Sequence, residues 1–256
     1  MRIVFLGKNP LNGHFKGIDA LKYLQTRNVE IVAIISACQN LNTYAFENNL
    51  PVKTIEEFNN SEIEDIDLVI SYGYNSLIRE PLLSIANIGC INFHPAPLPL
   101  WRGMGGIYNY AIYEGVKKWG VSCHYVDKTY DTGDIIKVIE FDIDTSNETA
   151  YSLSQISHIK LYDLFCTIIN TVLKTGVLGG QKQVGESRYI SAKDFNKLRK
   201  ISYDDSSEDI DKKIKAFFYP PHHGAYIEID GKEYSLINSE MLNEISSFIN
   251  KQDEEN

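Results

Sequence analysis

Four short, nearly unbroken apolar runs, at residues 2–6, 30–36, 67–71 and 90–93, most constrain what this chain folds into. They do not alternate apolar with polar residues, as a strand with one solvated face would, and so read as strands buried on both faces. Helix-length segments lie between them, at residues 17–26, 41–48 and about 82–86. This alternation gives an α/β fold: a Rossmann-like, mostly parallel sheet flanked by helices. A helix at 107–113 and strands at 120–126 and 135–141 continue the pattern. A long helix follows, for which Thr145, Ser146, Asn147 and Glu148 fit a capping box. Leu153, Ile156, Ile159, Phe165, Ile168, Ile169 and Val172 give it an apolar face up to Gly176.

From about residue 179 the pattern changes. Glycines and polar residues lead into a short helix at 192–200, an acidic stretch at 204–211 and a helix ending near Phe217. Asp230-Gly231, flanked by 226–229 and 232–236, is a hairpin signal, because both positions of a type I′ turn need positive φ. The expected organisation is a larger domain at residues 1–178 and a small C-terminal α+β domain at 179–256 that ends in this hairpin.

The balance of 25 Lys and Arg against 34 Asp and Glu, a net charge of -9, argues against nucleic acid as the main partner. Cys38, Cys90, Cys123 and Cys166 show no CxxC pair and no metal-ligand spacing, and no apolar leader precedes a cleavage site. Free thiols in a reducing cytoplasm are expected. No apolar run approaches the ~20 residues of a membrane span. His14, His94, His124, His158, His222 and His223 lack the spacing of a zinc site, so no metal is expected.

The chemistry concentrates at the end of the fourth run. Asn92 and His94 are two residues apart in an extended segment and leave one face of it. Pro95, Pro97 and Pro99 then hold the chain in a stiff course. The carboxyl ends of strands are where open α/β sheets bind ligands. An imidazole that takes a proton, an amide that donates to an oxyanion and a carboxylate that supports them suit acyl transfer. Asp131-Thr132-Gly133-Asp134 supplies the carboxylate, although taken alone it is an ordinary solvated turn.

Together, Asn92-x-His94-Pro95, the proline loop with Arg102-Gly103, and Asp131-Thr132-Gly133 resemble the pattern of the 10-formyltetrahydrofolate-dependent formyltransferases over most of residues 1–200. The chain is most similar to sugar N-formyltransferases acting on nucleotide-linked amino sugars. The blocks at 94–99, 101–106, 120–127 and 195–199 carry that likeness. The resemblance implies a catalytic trio of Asn92, His94 and Asp131, with His124 a neighbour of the site. His94 would accept the amine proton, Asn92 would stabilise the oxyanion, and Asp131 would hold the protonation pattern and assist the folate leaving nitrogen. It also implies a folate pocket lined by Tyr74, Ser76, Leu77, Ile78, Val126, Asp127 and Tyr130.

For the nucleotide diphosphate, Lys8 and Arg102 are the candidate cations, or else solvated surface charges. Gly103, Met104 and Gly105 belong to the same loop, and Phe217, Tyr219 and Tyr226 are candidate rings for the base. Residues 7–10 lack GxGxxG, so NAD is not expected. By the same resemblance the substrate is a nucleotide-linked 3- or 4-amino dideoxy sugar, dTDP by preference, for surface polysaccharide such as O-antigen, and the enzyme is a homodimer. Alternatives are a methionyl-tRNA formyltransferase-like activity, formyltetrahydrofolate hydrolysis, and a noncatalytic nucleotide-sugar-binding module.

Overall fold

A computed structural model describes residues 1–9, 16–103, 105–188, 190–239 and 241–243. The elements, in chain order, are β1 (Arg2–Gly7), α1 (Gly17–Gln25), β2 (Glu30–Ile35), α2 (Gln39–Glu47), α3 (Ile55–Asn59), β3 (Leu68–Tyr72), β4 (Gly89–His94), α4 (Ile107–Tyr113), β5 (Lys118–Tyr125), β6 (Ile135–Asp142), α5 (Ala150–Thr175), α6 (Ala192–Arg199), α7 (Ser207–Phe217), β7 (Tyr226–Ile229) and β8 (Lys232–Ser235). The six-stranded sheet runs β2-β1-β3-β4-β5-β6. The first four of these strands pair in parallel, and β5 joins β4 antiparallel.

The unbroken apolar runs have a direct cause: successive side chains leave opposite faces, and each face carries a core. Ile3, Phe5, Leu68, Ile70, Ile91 and Phe93 enter one cluster with α1 and α5, whereas Val4, Leu6, Val69 and Cys90 enter the other with Phe58 and Leu82. Phe165 of α5 centres the first cluster, with its ring 5.2 Å from that of Tyr72 and 5.1 Å from that of Phe93. Among the described residues no helix is long and apolar enough to cross a membrane.

Three local expectations change. Residues 82–86 form turns, not a helix: Ser84 N and Ile85 N both donate to Pro81 O and close a single turn before Asn87 and Ile88 donate to Ile66 O and Asp67 O and draw the chain toward β4. Leu82, Ile85 and Ala86 still pack in the second cluster, which is why the stretch mimics a helix in its apolar pattern. The long helix is capped one turn later than Thr145–Glu148. Thr149 Oγ1 accepts from Ser152 N at 3.1 Å, and Ser152 Oγ accepts from Thr149 N at 2.8 Å. Asp144 takes the nearer donors, Ser146 N and Asn147 Nδ2, and closes a separate turn. The helix α3 was not anticipated, although Thr54 and Glu57 form the reciprocal cap that a Thr-x-x-Glu sequence offers.

The chain divides into two compact units, Met1–Arg102 with Trp119–Phe141 and Gln155–Arg188, and Gly103–Lys118 with Asp142–Ser154 and Tyr189–Asn256. Within the second unit Asn109 Nδ2 donates to Ala216 O at 2.7 Å, and Tyr113 donates to Asp209 at 2.8 Å, tying α4 to α7. Gly106, with φ +72°, lies where a side chain would strike the Phe195 ring. Asp230 and Gly231 both have positive φ, as the hairpin reading required.

His158 of α5 has a buried Nδ1 with no hydrogen-bond partner among the described residues. Burial first, and the Lys16 charge second, lower its pKa to about 3. The unfolded chain takes up a proton below about 6.5 that the folded chain refuses, so stability falls as pH drops from 6.5 toward 3. The expected slope is ~1.4 kcal/mol per pH unit for this residue. Denaturant unfolding of the wild type and of His158→Gln between pH 7 and 4.5 measures it; identical slopes would remove His158 from the acid response.

Candidate active site

All the residues of this site lie in the first unit. The strand register builds it. Ser71 of β3 is paired with Asn92 of β4, and Asn92 with His124 of β5, so the three polar side chains form a row across one face of the sheet. Ser71 Oγ donates to Asn92 Oδ1 at 2.7 Å, and the amide nitrogen faces His124 Nε2, 3.1 Å away. Tyr72, Phe93 and Cys123 occupy the next positions of the same registers and enter the core instead.

His94 ends β4 on the same face as Asn92 and is only 3% exposed. Its Nε2 donates to Trp101 O at 2.7 Å, and its Nδ1 faces Asp131 Oδ2 at 3.6 Å. Ser122, paired with His94 across the sheet, accepts from Leu98 N and donates to Ala96 O, so β5 pins the proline loop that brings the Trp101 carbonyl over the ring. Burial is the largest influence on His94 and holds its pKa below the usual histidine range, against the opposing pull of Asp131 and the Trp101 carbonyl.

Asp131 reaches the site from the loop between β5 and β6. Its φ of +54° is a left-handed conformation that aspartate tolerates better than most residues. Asp127 closes the loop beneath it, accepting from Thr129 N and from the Thr132 hydroxyl. Gln183 Nε2 donates to the carbonyls of Asp131 and Gly133 at 2.9 and 2.7 Å, and Gln183 Oε1 accepts from Arg102 Nε and Nη2. The Asp131 side chain is 10% exposed, with Oδ1 3.3 Å from His124 Nε2 and 3.4 Å from Asn92 Nδ2. An amide N–H, a ring nitrogen able to take a proton and a carboxyl group thus converge. That set can polarise a carbonyl oxygen and move a proton in one step.

Residues 1–168 match the family model described as formyl transferase. The chain belongs to the formyl transferase family. It is 33% identical over 171 residues to a GDP-perosamine N-formyltransferase of Brucella melitensis, a match spanning 66% of this chain and 64% of that relative. It is 28% identical over 264 residues to a methionyl-tRNA formyltransferase of Rickettsia africae, covering 95% of this chain and 82% of the relative. The fold is shared with a 4-N formyltransferase from Francisella tularensis, at TM-score 0.76, 22% identity and coverage of 93% and 96%. It is also shared with the N-formyltransferase from Helicobacter canadensis in complex with folinic acid and dTDP-3-aminofucose, at TM-score 0.71, 22% identity and coverage of 91% and 85%.

The structure brings Asn92, His94 and Asp131 together, and His124, expected only nearby, touches two of the three. Of the folate-pocket candidates, Ile78 is buried, Tyr74, Leu77, Val126 and Asp127 are half-buried, and Ser76 and Tyr130 are exposed. Val126 N donates to Cys90 O, tying that edge of the loop to β4. Lys8 is exposed at the end of β1, and Arg102 is engaged by Gln183. Gly103, Gly105, Phe217, Tyr219 and Tyr226 fall in the second unit, and Met104 lies outside the described residues. There Phe217 and Tyr226 are buried, while Tyr219 is half-exposed, with its ring stacked on Tyr108 at 6.4 Å.

Ser71 and Gln183 were not anticipated. Ser71 left a signal, a polar residue interrupting a buried strand; Gln183 left none. Among the described residues no group of three or more His, Cys, Asp or Glu could hold a metal ion.

Proposed function

We propose that this chain transfers a formyl group from 10-formyltetrahydrofolate to the amine of a nucleotide-linked 3- or 4-amino sugar, dTDP-linked by preference. The convergence of Asn92 Nδ2, His94 Nδ1 and Asp131 in one largely buried site is the observation that carries this reading. The amine nitrogen attacks the formyl carbon and gives its proton to His94 Nδ1. The oxygen, now an oxyanion, takes the Asn92 N–H. Collapse breaks the bond from carbon to the folate nitrogen, which leaves with a proton passed through Asp131.

Support for an amino-sugar acceptor comes from the Brucella relative and from the ligands named for the Helicobacter enzyme. We assign the transfer to residues 1–178 and read 179–256 as a separate small domain. A homodimer working in the cytoplasm for surface polysaccharide synthesis completes the reading; gel filtration tests the dimer. Incubation with the folate donor and a panel of dTDP-, GDP- and UDP-linked amino sugars, followed by mass spectrometry, tests the whole. One sugar should gain the mass of a formyl group. Consumption of the donor with no sugar product would favour hydrolysis instead. Methionyl-tRNA belongs in the panel because the Rickettsia relative aligns with 95% of this chain, although the charge of -9 disfavours it.

The lowered pKa of His94 sets the sign of the pH response. A base must be neutral to act, and burial keeps this ring neutral to lower pH than a free histidine. The acid limb of kcat should therefore inflect below pH 6.5, and an inflection above it would mean that His94 is not the base.

A further inference from the structure

Each histidine of the site has one nitrogen committed to the backbone. His94 Nε2 is 2.7 Å from Trp101 O, and His124 Nδ1 is 2.7 Å from Tyr125 O. A carbonyl oxygen only accepts, so both nitrogens carry a proton, and in a neutral ring the other nitrogen is a bare lone pair. Both bare nitrogens face one carboxyl group, His94 Nδ1 at 3.6 Å from Oδ2 and His124 Nε2 at 3.3 Å from Oδ1. Two neutral rings around an ionised Asp131 would set lone pair against lone pair on both sides. Asn92 relieves the His124 side, because its Nδ2 donates to the bare Nε2 from 3.1 Å while its Oδ1 accepts from the Ser71 hydroxyl.

We infer that His124 is a positioning residue for formyl transfer, whose bare Nε2 holds the Asn92 amide in the resting site and releases it to the substrate oxygen when that nitrogen takes a proton. The amine proton taken up by His94 Nδ1 passes through the Asp131 carboxylate to His124 Nε2. The ring then donates to Asp131 Oδ1 and can no longer accept from Asn92, whose N–H turns to the oxyanion. The proton returns through Asp131 to the leaving folate nitrogen, so none is gained or lost over the cycle. Among the described residues Asp131 from its loop and His94 from β4 are the titratable groups that act on the His124 ring, and Asn92 contributes a neutral dipole. The kinetic consequence rests on the formyl-transfer reading, whereas the proton assignment does not.

Nitrogen NMR of histidine-labelled wild-type protein, assigned with His124→Gln, tests the resting state. His124 should show a protonated Nδ1 and an unprotonated, hydrogen-bonded Nε2 at neutral pH; the opposite tautomer overturns the inference. Kinetics test the second state. His124→Leu should lower kcat about 100-fold, with KM for donor and acceptor little changed. His124→Gln, which restores an acceptor for Asn92 but no titrating ring, should recover part of that loss. Full activity in the leucine variant, or equal losses in both, also overturns it. A wild type that formylates no amino sugar would instead defeat the functional reading and leave the NMR result standing.

Discussion

Gly133→Ala is expected to lower formyl transfer by about 100-fold or more, through displacement rather than loss of any reacting group. A methyl group at Gly133 would overlap the carbonyl oxygen of Tyr125 and stand 2.7 Å from its carbon. Both are backbone atoms, so no side chain can swing aside. The oxygen it strikes is the one that His124 Nδ1 donates to, and the Gly133 carbonyl is one of the two that Gln183 holds. Relief of the overlap therefore moves the Asp131 loop, disturbs the His124 ring, or does both. Overpacking of this kind costs about 1–3 kcal/mol of stability, which a chain of this size tolerates. The measurement is kcat and KM alongside the unfolding midpoint. A folded Gly133→Ala protein with wild-type kcat would show that Asp131 need not stand where the loop places it.

Most of the sheet was legible because its physical cause is one-dimensional. A strand buried on both faces needs an apolar residue at every position, and Arg2–Gly7, Glu30–Ile35 and Leu68–Tyr72 declare this within a few residues each. Asn92 and His94 were legible for a similar reason, since two polar side chains on one face of a buried strand need a use. What was hidden depends on pairing between distant segments. His124 joins the site because β5 pairs with β4 in a register that sets it opposite Asn92, and a shift of one residue would have turned Cys123 there instead. Gln183 reaches the loop from a segment with no periodicity. Residues 82–86 misled because four apolar side chains around one turn look alike whether the turn continues as a helix or is captured by a neighbouring strand.

His94→Ala is expected to lower kcat by about 10²–10⁴-fold, the range for loss of a positioned general base, with little change in KM for either substrate. The ring makes two different kinds of contact, and only one is chemical. Nε2 is spent on the Trp101 carbonyl, a bond that orients the imidazole, whereas Nδ1 looks toward Asp131 and is the nitrogen left to exchange a proton. Alanine removes both and leaves a space of imidazole size beneath the proline loop, walled by the Trp101 carbonyl and Asp131. Added imidazole can occupy that space and donate and accept at the same two points. Partial recovery of kcat that saturates with imidazole, and whose acid limb lies below that of free imidazole because the added ring is buried in the same place, would assign the proton transfer to this position. Recovery is expected to fail in a His94→Ala protein that also carries Asp131→Asn, because the replaced ring would then face an amide in place of the carboxyl group. Wild-type kcat in His94→Ala alone would place the base elsewhere and leave His94 as a strut for the proline loop.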